Sequence, residues 1–131
     1  MAERKTIVTA TAPQAIGPYA QAILVEGGGN LVFTSGQIAM DPSTGALIEG
    51  DVRVQTKQVM MNLGSVLEAA GSSFDKVVKA TIFLKDMDDF QGVNEIYGSF
   101  FDARQVPARS TVEVSRLPRD VLVEIDLVAQ A

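Results

Sequence analysis

Apolar and polar residues alternate over the first part of the chain and predict short β-strands there. Residues 5–9 and 20–26 have this pattern, and a glycine cluster at 27–29 turns the chain into a third strand over 31–34. A hairpin turn is favoured over a phosphate-binding loop at the glycines, because neither a Gly-Lys-Ser sequence nor the start of a helix follows them. Residues 41–45 predict a further turn, since proline and glycine stand where a chain reverses.

Helical spacing replaces the alternation between residues 51 and 70. Apolar residues three and four apart predict one buried helix face, made of Val59, Leu63, Val66, Leu67 and Ala70. Gly71 predicts the C-terminal end of this helix. Met60 and Met61 lie on or beside the stripe, and filling the core explains them better than binding a metal or cofactor.

A strand is predicted over residues 77–85, followed by a second helix that begins near Asp88. The strand places Val78, Ala80, Ile82 and Leu84 on one face and directs Lys79 and Lys85 to solvent from the other. The helix face is marked at helical spacing by Phe90, Val93, Tyr97, Phe100 and Arg104. Carboxylates at 86, 88 and 89 predict capping of the helix start rather than a calcium loop, whose spacing they do not match.

Two further strands, over 109–115 and 121–129, close the chain and complete a pattern typical of an α+β domain spanning residues 1–131. Right-handed crossovers would place both helices on one face of a single mixed sheet of about six strands. The last strand has apolar residues on both of its sides, so the sheet face without helices also needs cover. A homo-oligomer would supply that cover.

The amino-acid composition excludes several kinds of functional site. The chain has no cysteine, histidine or tryptophan, which excludes disulfides, thiolate nucleophiles, imidazole bases and Cys/His zinc sites. A net charge of −5 argues against a broad nucleic-acid surface. With neither a secretory signal nor a membrane-spanning segment, the cytoplasm is the expected compartment, although an organellar protein that has lost its transit segment would look the same.

Arg109 and Glu124 are the strongest candidates for chemistry, although the pattern alone leaves ordinary roles open. Glu124 stands in an otherwise apolar strand, as either a solvated edge carboxylate or a partly buried base with a tuned pKa. A strand arginine is usually a surface ion-pair partner, yet its planar fork is the best side chain for holding a carboxylate. Read alone, Tyr19 is a packing aromatic, Ser35 and Gly36 form a turn, and Asn94 is a helix-surface amide.

Five sequence blocks resemble the signature of the RidA (YjgF/UK114) family. They occur in the family's order over nearly the whole chain, and together they form a specific signal, although each is weak alone. The blocks are Ala15-Ile16-Gly17-Pro18-Tyr19, Thr34-Ser35-Gly36-Gln37-Ile38, Asp88-Asp89-Phe90 with Val93-Asn94, Pro107-Ala108-Arg109-Ser110, and Leu117-Pro118 leading to Glu124-Ile125.

The resemblance implies a chorismate-mutase-like fold, a homotrimer with clefts between its subunits, and a hydrolytic deaminase that needs no metal or cofactor. The substrates in this family are reactive 2-imino acids such as 2-iminopropanoate and 2-iminobutanoate, released by pyridoxal-phosphate-dependent dehydratases. Hydrolysis to 2-oxo acids and ammonia protects the cell from a damaging metabolite. Carried over by motif, Arg109 holds the substrate carboxylate and Glu124 directs water onto the imine carbon. The pocket is shaped by Tyr19, Ser35, Gly36, Asn94 and the backbone N–H of Thr111.

Thr111 is a departure, because some family members have cysteine at this position. A backbone role survives the exchange, since threonine keeps the N–H. Geometry adds a condition: a tight hairpin pairing Ser115 with Val121 would place Glu124 opposite Val112 and facing away from Arg109. The site would then be shared between subunits.

Two other functions remain open at this point. Relatives have been described as endoribonucleases that inhibit translation, but the missing histidine and the acidic balance weigh against ribonuclease activity here. A non-catalytic oligomer that binds small acids or unfolded chains is the other alternative. Family members without the arginine fit that description, so the presence of Arg109 favours catalysis.

Overall fold

Six β-strands and two α-helices make up the fold over residues 3–11, 15, 17–20, 22–27 and 29–131, which this computed structural model describes. Three single 3-10 turns, at Phe74–Lys76, Met87–Asp89 and Pro118–Asp120, join some of these elements. In chain order the elements are β1 (Glu3–Ile7), β2 (Ala22–Glu26), β3 (Leu31–Phe33), α1 (Val52–Ala69), β4 (Val77–Leu84), α2 (Phe90–Gly98), β5 (Ala108–Glu113) and β6 (Val123–Gln130).

The strands form a mixed sheet in the order β3-β6-β4-β5, and the β1-β2 hairpin joins its edge. Only β4 and β5 run parallel; the other pairs within the four-stranded sheet are antiparallel. A bridge between Ala20 and Ala108 attaches the hairpin, and Ala20 N donates to Pro107 O at 2.8 Å. The predicted α+β fold, with two helices and six strands, is confirmed.

Local signals define the ends of α1. The Asp51 carboxylate accepts a hydrogen bond from Val54 N at 3.0 Å, and Gly71 takes a φ of +78° after the last turn. The buried face is rotated from the predicted one: Val66 and Ala70 are exposed. Residues on the other side of the predicted stripe are buried instead. The face of α1 that packs in the core consists of Val52, Thr56, Val59, Met60, Leu63 and Leu67. Met61, beside this face, is exposed.

A β-bulge changes the predicted face of β4. Its pairing with β6 shifts between Val77 and Lys79, so Val77 is fully buried and Val78 is not. After the bulge, Ala80, Ile82 and Leu84 face the core as predicted. Lys79 donates to Ser110 Oγ at 3.1 Å on the other face.

The second helix is shorter than predicted. Asp86 accepts from Asp88 N at 2.9 Å and caps a 3-10 turn, which leads into α2 at Phe90. Because α2 ends at Gly98, Arg104 lies in the following loop, where it pairs with Asp102 at 3.2 Å instead of continuing the helix face. The predicted inner residues Val93 and Tyr97 are buried, and Phe100 packs against the core from beyond the helix.

The terminal strands differ from the prediction in extent and in pairing. The first strand begins and ends two residues before the predicted range of 5–9. The last two strands, predicted over 109–115 and 121–129, are β5 (Ala108–Glu113) and β6 (Val123–Gln130). Residues 21 and 28, within the predicted second strand and glycine turn, lie outside the described residues, as does residue 16. The last two strands do not form the hairpin considered from the sequence, because β4 lies between them in the sheet.

Within the described ranges, both helices pack on one face of the sheet and no helix covers the other. The core lies between α1, α2 and the inward residues of β4 and β6. We call the other side the open face; it includes Phe33, 71% exposed, and Val112, 42% exposed. Over the described residues, no helix combines the length and the apolar character needed to cross a bilayer.

Candidate functional site

Arg109 points from β5 toward α2, on the helix-covered face of the sheet. It pairs in register with Ala80, which is fully buried on that face. Arg109 Nη1 donates to Asn94 Oδ1 at 2.6 Å. The register of β5 and the inner side of α2 therefore place the predicted arginine and amide in direct contact.

Three aromatic rings surround the Arg109 guanidinium. Its central carbon lies 5.4 Å from the ring centre of Tyr19, 5.6 Å from that of Phe90 and 5.2 Å from that of Tyr97. All three distances are within the range of cation–π attraction. Tyr19 was predicted as a site residue, whereas Phe90 and Tyr97 were read only as core positions. The signal available for Phe90 and Tyr97 was their helical spacing, which also places Asn94, four residues after Phe90, on the same side of α2.

No carboxylate forms an ion pair with Arg109 within the described ranges. Partial burial lowers the pKa of its guanidinium, because water is removed from the charge. Arginine nevertheless stays charged at neutral pH. A Cβ built at Gly17 would lie 3.9 Å from Nη2, an ordinary van der Waals distance, so the Gly17 backbone lies close to the second nitrogen of the fork. Arg109 is thus a partly buried cation without a counter-ion among the residues that the structure describes.

Two buried polar atoms lie on the same side of the sheet. Thr111, two residues along β5 from Arg109, has a buried hydroxyl with no hydrogen-bond partner among the described residues. The Tyr97 hydroxyl is buried and equally unpartnered there. Burial raises the pKa of Tyr97 well above its usual range, so the phenol stays neutral. We call Tyr19, Asn94, Arg109 and Thr111 the arginine cluster.

Glu124 lies on the open face, opposite the arginine cluster. It pairs in register with Phe83, while its neighbours Val123 and Ile125 point into the core. Side chains alternate along a strand, so Glu124 projects away from the helices. Arg109 and Glu124 are therefore on opposite faces of one chain. The expectation that they face apart is correct, although the intervening strand β4 causes it rather than a hairpin.

Gly36 lies against Glu124. A Cβ built at Gly36 would overlap Glu124 Oε2 and lie 2.8 Å from its Cδ. Two residues of the same motif block, to which no site role was assigned, hold this segment along β6. Thr34 Oγ1 accepts from Leu127 N at 3.0 Å, and Gln37 N donates to Ile125 O at 2.9 Å. Ser35, between them, is exposed. We call Ser35, Gly36 and Glu124 the glutamate cluster.

A cavity of about 370 Å³ adjoins the arginine cluster at Tyr19. It lies between β1 and the loop before β5, and its walls include Thr6, Val8, Arg104 and Val106. Neither Arg109 nor Glu124 lines it. This cavity of the single chain therefore does not join the two clusters. Across the described positions, no group of acidic side chains has a metal-binding arrangement.

Comparisons with known proteins converge on one family. The family described as endoribonuclease L-PSP matches residues 9–131. A RutC family protein of Synechocystis sp. is 59% identical over 126 residues, covering 95% of each chain. The human 2-iminobutanoate/2-iminopropanoate deaminase is 48% identical over 126 residues, covering 96% of this chain and 89% of that protein. The crystal structure of RidA from the Antarctic bacterium Psychrobacter sp. superposes with a TM-score of 0.74 at 39% identity, covering 97% of this chain and 99% of that one.

Proposed function

The chain belongs to the endoribonuclease L-PSP family, which includes RidA proteins, and we propose that it hydrolyses reactive 2-imino acids to 2-oxo acids and ammonia. The membership confirms the family identified from the five sequence blocks. The named activity of the human relative supports the reaction class. Its physical basis in this chain is Arg109.

Arg109 is the single observation that carries the proposal. A partly buried guanidinium with one amide acceptor and no paired carboxylate is a receptor for an anion. Its fork matches a carboxylate, which accepts two parallel hydrogen bonds. All 2-imino acids have a carboxylate next to the imine carbon, so this contact fixes the reacting carbon at a set distance from Arg109.

Glu124 supplies the proton transfer in the proposed reaction. Its carboxylate accepts a proton from water as the water oxygen bonds to the imine carbon, which gives a carbinolamine. The proton then passes to the amino nitrogen and the C–N bond breaks. Ammonia leaves as the C=O bond forms, and the hydroxyl proton passes to the Glu124 carboxylate and from it to the released ammonia. A protonated imine is already electrophilic, so positioning and general acid–base help of about 10²–10⁴-fold suffice for the water addition.

The proposed enzyme is an oligomer in which Arg109 of one subunit meets Glu124 of the next. Two observations support this arrangement: the two residues occupy opposite faces of one chain, and the open face exposes large apolar side chains. A homotrimer, as the family resemblance implies, would bury that face and create clefts at the subunit boundaries.

The reaction is tested by generating 2-iminobutanoate with a threonine dehydratase and following the loss of the imine. We expect the wild type to accelerate hydrolysis and Arg109→Ala to bring the rate near the spontaneous one. Glu124→Gln, which keeps the shape but not the base, should lower kcat by about 10²-fold or more. Arg53→Ala is the matched control, because Arg53 pairs with Glu95 on the outer helix surface. A wild type that leaves the spontaneous rate unchanged would refute the proposal.

The family description also names a ribonuclease, so RNA cleavage is measured with the same wild-type and variant proteins. A phosphate-driven activity would weaken steeply with salt, whereas hydrolysis of a small imino acid would change far less. We expect no RNA cleavage above background. Salt-sensitive cleavage that is lost in Arg109→Ala would favour the ribonuclease instead.

A further inference from the structure

The rings around Arg109 come from separate parts of the chain. Tyr19 comes from the segment before β2, while Phe90 and Tyr97 lie in the first and last turns of α2. Tyr97 is fully buried and its ring is further held by Phe101, 4.8 Å away between ring centres. Phe90 is partly buried and packs against the core, so both α2 rings are held by packing independently of any ligand.

These rings occupy the place that a counter-ion would otherwise take. A partly desolvated guanidinium needs electrostatic compensation, which a carboxylate or the negative face of an aromatic ring can give. An acidic neighbour would occupy the fork and compete with a bound carboxylate. Aromatic faces attract the charge without accepting its in-plane hydrogen bonds, and Asn94 accepts only at Nη1.

We propose that Phe90 and Tyr97 are positioning residues that hold the Arg109 guanidinium charged, oriented and unpaired, so that its fork is preorganised for one carboxylate. The inference rests on the proposed function and adds two residues that act through Arg109. Preorganisation of this kind increases affinity because the receptor side chain is already ordered before the ligand binds.

The Tyr97 ring, rather than its hydroxyl, has this role. The hydroxyl is buried and makes no hydrogen bond within the described part of the chain. The cation–π contact depends on the ring face, which phenylalanine shares with tyrosine. Tyr97→Phe therefore keeps the proposed interaction, while Tyr97→Leu and Phe90→Leu each remove one of the three contacts.

The experiment measures binding of 2-oxobutanoate, the carboxylate product, by calorimetry and hydrolysis of 2-iminobutanoate by imine loss. Tyr97→Leu and Phe90→Leu should each raise the Kd for 2-oxobutanoate roughly tenfold, the change expected from one partly desolvated cation–π contact. The KM should rise in parallel while kcat stays near the wild-type value, because Glu124 is untouched. Tyr97→Phe should bind as the wild type does.

Phe74→Leu separates positioning from stability. Phe74 packs against Phe100 and Phe101, at 5.5 Å between ring centres in both pairs, so its loss removes a comparable aromatic contact away from Arg109. It should lower the melting temperature without changing the Kd. The NMR resonance of Arg109 Nε–H gives an independent readout, because nearby ring faces shift it: the Leu variants at 90 and 97 should move it and Phe74→Leu should not.

The outcomes distinguish the two proposals. If Arg109→Ala abolishes 2-oxobutanoate binding but Tyr97→Leu and Phe90→Leu bind like Phe74→Leu, the positioning role is overturned and the proposed function stands. If Tyr97→Phe is as weak as Tyr97→Leu, the hydroxyl acts instead of the ring and the inference is wrong. If Arg109→Ala binds and turns over normally, or the wild type does neither, the proposed function fails and the positioning role with it.

Discussion

At Gly36 the missing side chain determines where a carboxylate can lie. The segment from Thr34 to Gln37 follows β6 so closely that a single added carbon would overlap the Glu124 carboxylate. The need for glycine here comes from close approach rather than from a special backbone angle, since Gly36 is not among the described residues with positive φ. Glu124 can therefore be displaced without altering Glu124 itself.

Gly36→Ala should reduce imine hydrolysis by about 10- to 100-fold, because a displacement of roughly 1 Å is enough to misplace a catalytic group. The fall should appear in kcat, measured from imine loss at saturating substrate, while binding of 2-oxobutanoate through Arg109 is retained. Gly92→Ala is the control, since its Cβ would meet only the Arg53 side chain, at 3.4 Å. Full activity in Gly36→Ala would show that the position of Glu124 does not limit the reaction.

Tyr97→Phe should raise the free energy of unfolding by about 1 kcal/mol, because a buried hydroxyl without a partner carries an unrecovered desolvation cost. The ring contacts with Phe101 and Arg109 are unaffected by the change. Urea unfolding of both proteins gives the difference directly. A lower stability in Tyr97→Phe would mean that the hydroxyl has a hydrogen-bond partner in solution.

The ends of α1 followed from the sequence because their signals are local. Asp51 and Gly71 stand at the two ends of α1, so its limits were predicted to within about a residue. The bulge after Val77 and the insertion of β4 between β5 and β6 depend on partners far along the chain. Neither feature has a counterpart in local spacing, and the bulge exchanges the predicted faces of Val77 and Val78.

The sequence also predicted only part of the candidate site. Motif blocks pointed to Arg109 and Glu124, whereas spacing alone left Arg109 as an ordinary ion-pair candidate. Its lack of a carboxylate partner among the described residues and its contacts with Phe90 and Tyr97 arise only when β5 and α2 pack together. Phe90 and Tyr97 have the same periodic signature as any core residue, so the pattern gave no sign of their contact with a cation.

Leu63→Ala and Val66→Ala test the corrected face of α1. Both residues were expected on the buried stripe, yet Leu63 is fully buried and Val66 is 37% exposed. Leu63→Ala should cost about 3 kcal/mol of unfolding free energy, the middle of the range for a buried leucine. Val66→Ala should cost less than about 1 kcal/mol. Equal losses in thermal or urea unfolding would mean that the helix is rotated toward the sequence-based prediction.

The whole molecule presents two unlike surfaces to solvent. Helices cover one sheet face, and the other combines Phe33 and Val112 with the Glu124 carboxylate. An exposed apolar sheet invites association, and an association that also brings a carboxylate to the next subunit's arginine would link assembly to activity. A single chain cannot bring its own clusters together, since the sheet separates them.

Phe33→Glu should therefore separate the proposed oligomer into monomers and abolish imine hydrolysis. A glutamate at this 71% exposed position is readily hydrated in a lone chain, but burial against a second subunit would leave its charge unpaired. Light scattering should show a fall from an oligomer mass to the monomer mass. Imine hydrolysis should fall with it, because the arginine cluster of one subunit would no longer meet the glutamate cluster of the next. Met61→Glu, on the outward surface of α1, should change neither. A monomeric Phe33→Glu with full activity would refute the shared site, and an unchanged mass would place the subunit contact away from the open face.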